Sequence, residues 1–290
     1  MRRIETVTAA TWRRFRRSKL AVGALLYVAI VALIALLAPA IATDRPTAPV
    51  PFGPNTVDIA SRLRPPDDQH RLGTDDLGRD VLARMIHGAR VSLSVGLTAT
   101  AIALVIGSLL GALAGYYGGA ADWIVSRLIE LVLCFPFLFL VLGIVALFGP
   151  SFLTIMIALG LTSWTTEARF VRGEFLRIRD MEFAVAARAS GARDWRIIVR
   201  HLLPNAFAPV LVSASFGVAT AILIESALSF LGMGVPLPTP SWGNLLYSAE
   251  QHIEYAWWLA LFPGIAIFLT VAAFNIIGDR VRDALDPRAD

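Results

Sequence analysis

The stretch VSLSVGLTATAIALVIGSLLGALAGYY, residues 91–117, carries no charged side chain. As a helix rising 1.5 Å per residue it is about 40 Å long, more than the roughly 30 Å hydrocarbon layer of a bilayer. Backbone groups in that layer have no water to bond to, so one isolated apolar segment crosses it only as a helix. Gly107, Gly111 and Gly115 stand four apart, a doubled G-x-x-x-G. Such a stripe lets a second helix approach closely, and it directs packing rather than chemistry.

Comparable segments lie on both sides. Residues 21–42 are apolar and follow Arg13, Arg14, Arg16, Arg17 and Lys19. The alanine-rich end of this segment resembles a cleavage site, but signal-peptide apolar regions run to only about 7–15 residues. An uncleaved first span is expected. Further spans are expected over 124–148, with a kink at Pro136, and from 152 through Thr166, where the apolar core is short. The last two are expected at 206–231 and 257–277. Hydrophobic residues make up 56% of the chain and mean hydropathy is +0.65, beyond the usual 45–50% apolar share. The expected class is an all-α membrane protein of six transmembrane helices.

The charge pattern orients it. With the N-terminus inside, nineteen basic residues fall on inner segments and seven on the outer connection 43–90, while outer residues 233–256 have none. This is the positive-inside distribution, with both termini cytoplasmic. The net charge of +4 therefore reflects membrane orientation rather than nucleic-acid binding. The one lysine, Lys19, follows no glycine-rich loop, so the chain has no phosphate-binding loop of the G-x-x-x-x-G-K-[ST] kind and no ATP site of its own. His70, His87, His201 and His252 lack metal-ligand spacing, and Cys134 reads as a packing residue. No H-E-x-x-H and no nucleophile with a nearby base occurs, so neither catalysis nor a metal is expected. Glu225 is essentially the lone ionisable group at depth, which argues against an ion-coupled transporter.

Residues 181–205 read MEFAVAARASGARDWRIIVRHLLPN. Alanines favour helix and glycine interrupts it. The pattern predicts a helix, a turn at Gly191, and a second helix over 195–203 capped by Asp194 and ended by Pro204. A small-residue helix with basic flanks fits either a docking element for another protein or a plain surface hairpin. Upstream, Leu77, Val81, Leu82, Met85 and Ile86 share one helical face. They predict an amphipathic surface helix over 76–90, capped by Thr74 or Asp75.

This loop resembles the EAA coupling motif of bacterial ABC importer permeases, with Ala186, Ala187, Gly191, Leu203 and Pro204 in register. Val185 stands where that family usually has Glu, and Glu182 lies one turn earlier. Four further stretches resemble the second, C-type permease of the dipeptide, oligopeptide and nickel importers. They are LGTDDLGRDVLARMIHGARVSL (72–93), ALSFLGMGV (227–235), SWGNLL (241–246) and GDRVRDALDPR (278–288). Five fragments in order around six spans make the resemblance specific over nearly the whole chain.

The resemblance implies a type I ABC importer permease fold in the bacterial cytoplasmic (inner) membrane. It divides the chain into residues 1–88, a permease domain over 89–278 containing the coupling loop 181–205, and a tail over 279–290. It implies a second permease, two ABC ATPase subunits that hold the ATP and Mg, and an extracytoplasmic substrate-binding protein. The expected cargo is short peptides, with nickel or another small solute as the alternative. The coupling residues would be Glu182, Ala186, Ala187, Arg188, Gly191, Asp194, Leu203 and Pro204. Asp75, Asp76, Arg79 and Asp80 would either seat the binding protein or cap a helix. Glu225 would either line the path, meeting a peptide's amino group, or make a structural hydrogen bond.

Overall fold

The computed structural model describes residues 7–285. Within them the regular structure is helical, apart from two isolated bridges, Ala42 with Val50 and Thr74 with Asp80. A short helix α1 (Val7–Arg17) precedes α2 (Lys19–Ile41), which starts where the Ser18 hydroxyl oxygen accepts the Ala21 N–H at 3.3 Å. An irregular segment with one 3-10 turn leads to α3 (Val81–Tyr117). Then come α4 (Gly119–Leu133), α5 (Phe137–Phe148), α6 (Phe152–Ile178) and α7 (Glu182–Ala189). The short α8 (Asp194–Ile197) runs through a π-helical turn into α9 (Leu203–Phe230), followed by α10 (Trp242–Glu250) and α11 (Trp258–Leu285).

Three local expectations are corrected. The amphipathic surface helix does not form separately: α3 is one helix of 37 residues, about 55 Å long, running unbroken past residue 88. Its cap is Asp80, whose Oδ1 accepts the Ala83 N–H at 2.8 Å. Asp75 is already occupied by the N–H groups of Leu77 and Arg79. At Pro136 the chain does not merely kink. It breaks into α4 and α5, which meet at 83°, and Cys134 sits exposed at the break. Pro204 does not end the second hairpin helix. It falls at the start of α9, directly after a π-helical turn that accommodates the position without an N–H and carries the helix through.

The glycine stripe has its partner. A Cβ at Gly107 would lie 2.5 Å from Glu167 Cβ, at Gly111 2.5 Å from Ala168 O, and at Gly115 2.5 Å from Phe175 Cβ. In return, a Cβ on Gly160 would meet Ile102 Cβ at 2.6 Å. Residue numbers rise together along both helices, so α3 and α6 run parallel with their backbones nearly touching. Against α3, α9 runs the other way, with Gly96 at Ile222 and Gly217 at Thr100. The helix α2 is also antiparallel to α3: His87 Nε2 donates to Ala42 O at 2.9 Å, and Ala35 packs with Ala89 and Leu93. At the other end Phe15 and Ala21 pack on Ala284 of α11. The first and last described helices therefore end on the same side of the bundle as the α7–α8 hairpin.

Four helices, α2, α3, α9 and α11, are long and apolar enough to cross a membrane, and the bent pair α4–α5 makes a fifth if it counts as one span. The helix α6 falls outside this set because Glu167, Arg169 and Arg172 follow its apolar first half.

Candidate functional site

The hairpin is built on a glycine that has to be a glycine. Gly191 has φ +75°, the left-handed region, and closes a Schellman ending: the Gly191 N–H donates to Arg188 O at 2.9 Å and the Ala192 N–H to Ala187 O at 3.1 Å. A Cβ there would touch nothing within 4 Å, so its constraint is backbone conformation alone. Ala184 and Ile197 are fully buried against Val171, Phe175 and Leu202, with Ala187 and Leu203 packed on that cluster. Glu182 is exposed in the first turn of α7, where a carboxylate suits the helix dipole. Asp194 does not cap α8, which starts after Arg193. Its Oδ1 accepts instead from Tyr116 OH at 2.7 Å. Arg188 donates to Arg179 O and lies over the Tyr116 ring, while Arg179 Nη1 donates to Gly115 O at 3.0 Å. The hairpin is thus tied to the last turn of α3.

Its exposed side chains include large apolar ones set among the charges of Glu182, Arg188, Arg193, Asp194, Arg196 and Arg200. Val185, Trp195 and Val199 are 48%, 59% and 55% exposed, with Met181 and Phe183 beside them. Ala186 and Pro204 are exposed too. The Val185 position, apolar where the coupling motif is usually acidic, is part of this patch.

At the opposite end the acidic–basic cluster is internal. Asp75, Arg79 and Asp80 are buried, and only Asp76 is partly exposed. Arg79 Nε donates to Asp75 Oδ2 at 2.7 Å, and His70 Nδ1 lies 2.8 Å from Asp80 Oδ2. Arg84, wholly buried, donates to Pro54 O at 3.0 Å and stands 3.5 Å from Asp75. Trp258 Nε1 donates to Thr74 O at 3.1 Å, which fastens the segment to α11. Of the four residues only Asp76 has a face for a partner. The other three hold the cap and the start of α3.

Two carboxylates lie inside the bundle. Glu225 of α9 is fully buried and accepts from Ser229 Oγ at 2.8 Å and Ser92 Oγ at 3.1 Å. Around it Ser92 Oγ accepts the Trp242 N–H, and Ser229 Oγ accepts the Val235 N–H. This is the structural hydrogen-bond reading of Glu225. The second is Glu167 of α6, which the sequence places at the polar edge of a short span. It is 4% exposed and lines a cavity of about 870 Å³ between α3, α5, α6 and α9, open toward the end of α11. Its Oε1 accepts from Ser213 Oγ at 2.8 Å, while Oε2 has no partner. The signal that could have found it is the acidic side chain four residues before Val171, on the face that meets the glycine stripe.

Known proteins fit this arrangement. Residues 107–290 match the family model of the binding-protein-dependent transport system inner membrane component, and residues 6–66 match the N-terminal transmembrane domain of oligopeptide transport permease C. The dipeptide transport system permease protein DppC of Alkalihalophilus pseudofirmus is 41% identical over 96% of this chain and 88% of its own length. The di/tripeptide transport system permease protein DppC of Pseudomonas aeruginosa is 40% identical over 96% and 91%. An inward-facing structure of the MetNI methionine ABC transporter aligns at a TM-score of 0.57 with 21% identity, covering 70% of this chain and 97% of that one, a likeness of fold. The chain belongs to the binding-protein-dependent inner membrane permeases of ABC importers, as a C-type member and a multi-pass transport subunit rather than an enzyme.

Proposed function

We propose that this chain is one of two permeases of an importer that moves short peptides across the bacterial cytoplasmic membrane. It works with a similar second permease, two ATPase subunits that hold ATP and Mg, and an extracytoplasmic binding protein. The peptide cargo rests on relatives near 40% identity that are named for dipeptides and di/tripeptides. Six spans with both termini cytoplasmic are supported by three features. At 27 residues α6 is about 40 Å long. Its Glu167 is turned inward, away from lipid. Both described chain ends share the hairpin's side, as an even number of crossings requires, and basic residues concentrate there.

The observation that carries the mechanism is a hairpin that exposes large apolar side chains on its outside and is anchored on its inside. Met181, Phe183, Val185, Trp195 and Val199 form a surface for an ATPase groove. Tyr116–Asp194, Arg179–Gly115 and the Ala184–Ile197–Phe175 cluster couple it to α3, α6 and α9. Closure of the ATPases on ATP would carry the hairpin, and the tightly packed α3–α6 pair would move as one body.

Replacing Gly191 by Val places a β-branched residue at φ +75°, a strain of about 1–3 kcal/mol. The expected result is normal membrane insertion and permease pairing, with co-purifying ATPase and ATP-driven uptake lost. Gly191→Asn, which tolerates the left-handed region, keeps most uptake. Normal uptake by Gly191→Val would sink the docking mechanism. A purified complex that hydrolyses ATP with its binding protein but moves no peptide would refute the cargo.

A further inference from the structure

The mid-bundle cavity holds an unexplained group. Of the residues lining it, only Glu167 and Arg282 are charged. Arg282 is exposed at the rim, where water weakens its pull. Glu167 is more than nine-tenths buried, and half of its carboxylate is without a partner. Thr100 Oγ1, also on the cavity wall, is buried and unpartnered. Buried polar atoms are ordinarily satisfied, and the exceptions call for an occupant or a role. Ser213 answers one carboxylate oxygen only. Gly217 lets α9 pack closely on α3 beside it: a Cβ there would press on Thr100 Cγ2 at 3.1 Å and come within 3.9 Å of Glu167 Oε1. The remaining lining is largely aromatic, aliphatic and hydroxyl-bearing, and 870 Å³ lies within the usual range for small-molecule sites.

We infer that Glu167, rather than Glu225, is the cargo-facing charge of this permease, and that its free oxygen, shielded in this structure, turns into the cavity to receive the ammonium group of a peptide in transit, with Thr100 Oγ1 as a neighbouring acceptor. A cation beside a half-satisfied carboxylate replaces the missing hydrogen bond with a charge-assisted one, among the stronger kinds. Glu225 is less suited to this role because Ser92 and Ser229 each bond one of its oxygens and it does not line this cavity. The inference rests on the peptide reading above and is tested separately from it.

The test uses the assembled complex in proteoliposomes, with binding protein, ATP and a dipeptide bearing a free amino end. Wild-type uptake establishes the cargo first, and its absence refutes the peptide reading itself. Glu167→Gln keeps an acceptor for Ser213 but removes the charge. We expect intact assembly and an uptake rate reduced about tenfold, with Glu167→Asp retaining most of the rate and Ser213→Ala losing clearly less than Glu167→Gln, since it removes a bond but keeps the charge. Unchanged uptake by Glu167→Gln overturns the inference. Equal losses in Glu167→Gln and Ser213→Ala overturn it in favour of a structural α6–α9 bond. Loss of the second permease from purified Glu167→Gln overturns it in favour of a contact between permeases.

Discussion

The two ends of this permease solve opposite problems. At the Asp75 end, Asp75, Arg79 and Arg84 are turned inward and bound to one another, to Pro54 and, through Thr74, to Trp258, while Asp80 bonds His70 and the Ala83 N–H. Most polar groups there are consumed by the fold, although Asp76 Oδ1 and Arg84 Nε and Nη2 lack a hydrogen-bond partner. At the opposite end, the hairpin buries only Ala184, Ile197 and Leu202 and leaves Trp195, Val199 and Val185 in the open. Apolar groups there are withheld from the fold. A rigid cap and an unfinished surface are what a subunit needs if it receives cargo at one end and force at the other. The interior repeats the contrast, with Glu225 satisfied and Glu167 half satisfied.

Variants can break or sharpen that contrast. The largest effect is expected at the cap. Arg84→Ala removes a wholly buried guanidinium and leaves Asp75 with one cation fewer. Breaking such a buried pair costs about 3–5 kcal/mol, and faster trypsin cleavage at the exposed Arg62 would report it. Unchanged protection would mean that the cap does not depend on this network. Next comes Glu225→Ala, which strands buried serine hydroxyls at about 1–3 kcal/mol. It should lower the thermal midpoint of the detergent-purified complex while leaving the uptake rate per folded complex near normal. A selective loss of uptake instead would return Glu225 to the path. At the hairpin, Trp195→Ala should leave the midpoint unmoved, since the side chain is 59% exposed, yet weaken ATPase retention during purification. Smallest is Tyr116→Phe, which deletes the bond to Asp194, a loss of about 1 kcal/mol. Its expected signature is a lower number of peptides moved per ATP hydrolysed with both subunits still bound.

The elements that were legible in the sequence share one property: their pattern is local. The glycine stripe, Gly191 as a turn and the apolar runs of α2, α3, α9 and α11 follow from residue type and period alone. The cap of α3 was misplaced because Thr74, Asp75 and Asp80 are all good N-cap residues. Asp75 was taken out of contention by the backbone of Leu77 and Arg79, a choice made in three dimensions. Asp194 looked like a cap for the same reason and was claimed by Tyr116, 78 positions away in the chain. Pro136 announced a disturbance but not the 83° break, whose size depends on what α5 packs against. Glu167 was passed over because a carboxylate at the polar edge of a short span reads as an interfacial residue. Only the parallel packing of α6 on α3 turns it inward.

What the sequence determined by itself was the class of molecule: apolar segments of bilayer length must be helices. It also determined that a small-residue hairpin punctuated by Gly191 stands outside them. What only the tertiary structure decided was which polar groups are spent and which are left over. Hydrogen bonds and ion pairs form between residues tens to hundreds of positions apart, as from Ser92 to Glu225 or Thr74 to Trp258. No local period records those partners. They exist once α3, α6, α9 and α11 are packed, and the unpaired oxygen of Glu167 is visible only after every other donor has been assigned.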